Sequence, residues 1–81
     1  MKKGSPRYVI CVRSGGTNDL EVRKLYRVVP DASATARRHV RVVDESGEDY
    51  LYPAEWFVAV DLPESAEREL AAASPRPTNT R

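Results

Sequence analysis

The sequence has a single cysteine, a single histidine, one tryptophan and one phenylalanine, and no long run of apolar residues. Each scarcity excludes something. With Cys11 alone the chain cannot close an internal disulfide, and small secreted domains usually rely on several, so a reducing compartment such as the cytoplasm is expected. The apolar stretch Tyr8-Val9-Ile10-Cys11-Val12 is cut by Arg13, too short for a signal peptide or a membrane span, and reads as a strand of a soluble protein. His39 has no second histidine and no base beside it, and Cys11 lies within an apolar run as a small packed hydrophobe. Ser14-Gly15-Gly16 lacks the Gly-Lys-Ser/Thr of a phosphate loop. No catalytic constellation, cofactor site or metal site emerges, and a non-enzymatic role is expected.

What is present is 81 residues, 41% hydrophobic and 31% charged, enough for one small domain with a thin core. The formal net charge of +1 hides a segregation along the chain. Residues 1–13 carry Lys2, Lys3, Arg7 and Arg13 without an acid, and residues 32–43 carry Arg37, Arg38 and Arg41. Residues 44–64 then hold Asp44, Glu45, Glu48, Asp49, Glu55, Asp61 and Glu64 without a base.

The pattern is mainly β. Tyr8 to Val12 is rich in β-branched and aromatic types and runs into the turn formers Ser14 to Asp19. Val22 to Val29 alternates at period two and stops at Pro30. Ala32 to Arg38 shows no cap and is read as a loop. His39 to Val43 and Glu48 to Tyr52 flank Asp44-Glu45-Ser46-Gly47 as a hairpin, with Gly47 able to supply a positive φ. Ala54-Glu55-Trp56 fits one tight turn, and Phe57 to Val60 makes a fifth strand. Asp61 with Glu64 has capping-box spacing before a short helix over 63–73. Residues 1–6 are read as a flexible N-terminus, 7–62 as the β domain, and 74–81 as a disordered tail without apolar residues.

Three pieces of this pattern are similar to the Src-homology-3 family: Asp19 to Lys24 leading into Tyr26-Arg27-Val28-Val29, the hairpin after it, and Tyr52-Pro53-Ala54-Glu55-Trp56-Phe57-Val58, which resembles the family's Pro-x-x-aromatic turn. The resemblance implies a small five-stranded Src-homology-3-like barrel with a short C-terminal helix. It also places Pro53 and Trp56 where peptide-binding members grip a polyproline helix. The departures bear on the ligand: no Ala-Leu-Tyr-Asp-Tyr motif lies near Tyr8, and His39-Val40 stands where the family has a tryptophan pair.

Two surfaces follow. Trp56, Pro53 and Tyr50, with Tyr52, offer aromatic contact area for a protein partner, unless the tryptophan is consumed by the core. Asp44, Glu45, Glu48 and Asp49 match no calcium-loop spacing and read as a solvated hairpin tip that could meet a basic partner. Strand parity that turns Tyr8, Ile10, Val12, Tyr26, Val28, Val40, Val42 and Leu51 inward leaves Arg7, Arg13, Arg23, Arg27, His39 and Arg41 outward. The alternative reading is therefore a nucleic-acid-binding stripe of Arg23, Arg27, Arg37, Arg38 and Arg41, although polar-out alternation puts arginine there in any case. No membrane partner is expected, and an exposed edge strand allows a monomer or a weak dimer.

Overall fold

The computed structural model describes residues 7–73. The chain folds into two small antiparallel sheets and short helices: β1 (Tyr8–Cys11), β2 (Leu25–Arg27), α1 (Ala32–Ala36), β3 (His39–Val43), β4 (Asp49–Pro53), a 3-10 turn (Ala54–Trp56), β5 (Phe57–Val60) and α2 (Glu64–Ala72). One sheet has the order β2-β1-β5 and the other is the hairpin β3-β4. A bridge between Val28 and Val42, with Val29 N–H donating to Arg41 O at 2.8 Å, hands the chain from the first sheet to the second. The expected closed barrel is not found: among the described residues β4 pairs only with β3, and β5 only with β1.

The apolar core is formed by Val9, Cys11, Leu20, Tyr26, Val28, Val42 and Phe57, with Val40, Tyr52 and Trp56 packed against it. Register explains the choice. Val9 faces Tyr26 and Ala59, and Cys11 faces Phe57, so the odd positions of β1 point between the sheets. This reverses the parity expected for β1 and β4. Val12 and Leu51 are exposed, while Val9 and Cys11 are buried. Tyr8 and Ile10 lie on the other face of β1, where Tyr8 is still buried, in a cleft shared with Leu25, Arg27 and Leu70. An apolar run with no polar residue gives alternation nothing to register on, and the phase is set by which strands flank it.

Three local expectations are corrected. Of the stretch Val22 to Val29 only Leu25–Arg27 is strand, because Arg23 takes φ 79° and the turn closes with Lys24 N–H on Glu21 O at 3.3 Å. Residues 32–36 are helix and not loop: Asp31 supplies the N-cap, Oδ1 accepting from Ala34 N–H at 3.1 Å. α2 begins at Glu64 with Pro63 in the cap position and no side-chain cap, so the Asp61–Glu64 box does not form. An ion pair from Arg7 to Glu67 at 3.5 Å links α2 to the start of β1. The expectations for 1–6 and 74–81 lie outside the described residues.

Asp31 does more than cap. Its Oδ2 accepts from Arg41 Nε at 2.9 Å, which fixes α1 against β3, and Ser33 donates its hydroxyl to Oδ1 at 2.9 Å. The Arg41 guanidinium, the Ala34 N–H and the Ser33 hydroxyl together lower its carboxyl from the ordinary 3.8 to about 2. A carboxyl depressed by folding stabilises above its unfolded value, and that contribution is lost as pH falls from about 4 toward about 2. Thermal melts recorded by circular dichroism across this range should show Asp31→Ala with a lower melting temperature at neutral pH and a shallower acid limb. An unchanged acid limb would show that Asp31 is not coupled to folding.

Candidate functional site

The hairpin turn is exposed from Glu45 to Tyr50, as its composition predicts, but Asp44 is turned inward and Glu45 is partnered across to β2, so these two acids hold the domain together. Asp44, at 3% exposure, is the buried charge of the described residues. A carboxylate is tolerated there only when its oxygens are hydrogen-bonded. Its Oδ2 accepts from the Tyr52 phenol at 2.6 Å and its Oδ1 from Ser46 N–H at 2.9 Å. Gly47, at φ 89°, closes the turn by donating to Asp44 O at 2.9 Å. Glu45 Oε2 accepts from the Tyr26 phenol at 2.6 Å and pairs with Lys24 Nζ at 2.8 Å. The same phenol oxygen accepts Glu21 N–H at 2.7 Å, and Glu45 N–H donates to Asp19 O at 2.8 Å. Lys24 and the Tyr26 hydroxyl hold the Glu45 carboxyl below its usual value, while burial and the neighbouring carboxylates push both phenols well above theirs. The remaining acids are also engaged, Glu48 by the Tyr50 hydroxyl at 3.0 Å and Asp49 by Arg41 at 3.4 Å. Among the described residues no group of His, Cys, Asp and Glu is placed to hold a metal ion.

The five arginines do not form one stripe. Arg41 is the exception to outward exposure, half-buried between Asp31 and Asp49 with its charge answered on both sides. Arg27 lies in the cleft beside Tyr8 and Leu70, whereas Arg38 and Arg41 line a different cleft with Val28, Val40 and Phe57. Arg23 and Arg37 are exposed, Arg23 in the first loop and Arg37 after α1. Four of the five are therefore accessible, but on separate parts of the surface.

The third group does assemble. Trp56 is half-buried, at the end of the 3-10 turn. Its ring is tilted against Tyr52 with centroids 6.0 Å apart, and its carbonyl accepts from Val12 N–H at 2.7 Å and Arg13 N–H at 3.3 Å. On the loop side it meets Gly15, where a Cβ would overlap the six-membered ring, with Cζ2 at 2.6 Å and Cη2 closer still. Pro53 is half-buried and three residues before Trp56, the spacing at which side chains eclipse in a 3-10 turn. Tyr50 lies on the same face of β4 as Tyr52 and is 49% exposed, while Pro53, opposite His39, occupies the other face. The structure thus joins Trp56 to Tyr52, places Pro53 one 3-10 turn before it, and leaves Tyr50 farther along the hairpin toward its turn. The only thiol, Cys11, is fully buried, with Sγ–H directed to Arg13 O at 3.1 Å, and burial raises its pKa.

Sequence reasoning missed Gly15 and Leu20, both in the long first loop. Leu20 is an isolated apolar residue between Asp19 and Glu21, a pattern that marks a loop residue turned inward. Gly15 carried a weaker signal: a Gly-Gly pair in which both φ values are positive, 61° and 84°.

Two predictions test this construction. Asp44→Ala strands the buried Tyr52 hydroxyl and the Ser46 N–H, and should cost about 1–3 kcal/mol in denaturant melts; Tyr52→Phe, which removes the hydroxyl, should lessen the added penalty in the double variant. Gly15→Ala should destabilise the fold and red-shift the emission of the only tryptophan, because the ring must leave its place. Gly16→Ala meets nothing within 4 Å and should cost only its positive φ, about 1 kcal/mol, with emission unchanged. Equal effects of the two alanines would remove the Gly15–Trp56 contact from the account.

Comparison with protein-family models, curated proteins and solved structures gives no match for this chain, so the reading of its surfaces rests on its own residues.

Proposed function

We propose that this chain is a non-enzymatic, cytoplasmic Src-homology-3-like binding module that holds a protein partner at the surface formed by Trp56 and Pro53. The observation that carries the reading is Trp56 itself: a large aromatic side chain, half-exposed, yet fixed by Gly15 on one side and Tyr52 on the other. An aromatic anchor immobilised before binding loses little side-chain entropy when a partner covers it, and such residues dominate binding energy at interfaces. The Src-homology-3-like part of the proposal is supported by the strand order β5-β1-β2 passing through Val28 to β3-β4, and by a Pro-x-x-Trp turn facing the long first loop. The Trp56 surface is preferred over the acidic hairpin as a docking surface because the hairpin's carboxylates already have partners within the chain.

Affinity capture with the wild-type chain and with Trp56→Ala, each first shown to be folded by circular dichroism, tests the proposal. A partner retained by the wild type should lose about 2 kcal/mol of binding, or some thirtyfold in Kd, in the variant. Replacement of Arg23, Arg27 and Arg37 by serine should leave it unchanged. The opposite result, retention by Trp56→Ala and salt-sensitive loss in the serine variant, would transfer the function to nucleic-acid binding.

A further inference from the structure

A second surface, independent of Trp56, is built where the two sheets fail to close. β5 pairs with β1 along one edge only. Cys11 N–H donates to Lys24 O at 2.9 Å and Cys11 O accepts from Arg23 N–H at 2.7 Å, so the odd residues of β1 address β2 and the even ones address β5. In the antiparallel register Val58 and Val60 answer Ile10 and Tyr8, which turns the peptide groups of Phe57 and Ala59 to the other side. The Phe57 N–H is taken by Ala54 O. The N–H and C=O of Ala59 therefore lie on an edge that no described strand occupies.

That edge borders a cleft of about 470 Å³, lined by Ala59 itself, by the apolar Val9, Val28, Val40 and Phe57, and by Arg38 and His39. The one acid in its lining, Asp31, is satisfied by Arg41, Ser33 and the Ala34 N–H. Neither Arg38 nor His39 has a carboxylate within ion-pairing distance among the described residues, so the uncompensated charge of the cleft is positive. Arg38 is also held in an unusual place. It has φ 62°, uncommon for a residue with a side chain, and is locked there by its N–H on Thr35 O and by its O accepting from Ala54 N–H, both at 3.0 Å.

We infer that this open seam takes an extended peptide segment of a partner protein, one that alternates apolar and acidic residues and adds to β5 as a further strand. The three features are the requirements of strand addition: unpaired main-chain groups supply affinity, an apolar lining receives alternate side chains, and a fixed charge selects among sequences. An added strand would pair with Ala59, lower its apolar side chains onto Val9, Val40 and Phe57, and bring a carboxylate to Arg38.

The test is an amide NMR titration of the full-length labelled chain with a short acetylated and amidated peptide of alternating glutamate and valine, alongside the same peptide with lysine for glutamate. The glutamate peptide should shift Arg38 and Phe57 through Val60 and slow exchange of the Ala59 amide. It should also bind about tenfold more tightly than the lysine peptide. Arg38→Glu should reverse that preference. N-methylation of the peptide backbone on its pairing edge should abolish binding while leaving charge and side chains intact. Equal binding of the two peptides, absence of shifts at millimolar peptide, or Ala59 signals that move on dilution of the chain alone would each overturn the inference, the last by showing that a second copy fills the edge. A perturbation confined to the Trp56 indole would also overturn it while leaving the proposed protein-binding surface standing, so the two readings fail separately.

Discussion

The domain depends on two neighbouring carboxylates at the hairpin turn. Asp44 and Glu45 each accept a phenol, from Tyr52 on β4 and from Tyr26 on β2, and Glu45 adds Lys24 and the backbone of Asp19. A bond from β2 to the turn of β3-β4 is a bond between the two sheets, and the contact with Asp19 ties in the long first loop. Apart from this network, among the described residues the sheets are joined by one bridge and a thin core in which Val42 and Cys11 are the fully buried side chains. In so small a core each buried aliphatic side chain contributes about 1.5–3 kcal/mol, so a satisfied polar network of this extent is a substantial part of what makes the arrangement unique.

The same network changes the meaning of the charge pattern. A block of seven acids facing blocks of arginine looks like a polarised surface built for a charged partner. Much of it is spent internally, with Arg41 bridging Asp31 and Asp49, Lys24 answering Glu45, and Arg7 answering Glu67. Two surfaces then stand out beside the separate arginines: the clamped ring of Trp56, and the seam beside β5. Both are features of main-chain geometry as much as of side-chain identity. Trp56 is immobilised because Gly15 has no Cβ, and the seam exists because the chain turns through Pro53 to Trp56 without pairing β4 to β5.

Much of the architecture was legible in the residues. The hairpin His39–Val43 with Asp49–Pro53, the tight turn at Ala54–Trp56 and the strand Phe57–Val60 follow from local patterns of β-branched residues, proline and a glycine turn, and these form wherever they are placed. Arg7, Arg13, Arg23 and Arg27 are exposed as expected, but strand parity accounts only for Arg27, since Arg7 and Arg13 lie outside β1 and Arg23 lies in a turn. Less was legible where one signal served two ends. Val22 has strand propensity, yet the turn at Arg23 leaves it 50% exposed. Asp31 follows Pro30 and looked like the end of a strand, whereas it is the start of a helix.

The sequence by itself determined the set of strands, their order along the chain and the turn of the hairpin, since those are decided by dihedral preferences within a few residues. The tertiary structure alone decided which face of β1 is inner, that Asp44 is a buried acceptor and Glu45 a partnered one beside an exposed turn, and that Trp56 stands half in and half out. Each of these is a contest between alternatives of equal local merit, settled by partners distant in sequence: Phe57 for Cys11, Tyr26 for Glu45, and Gly15 for Trp56.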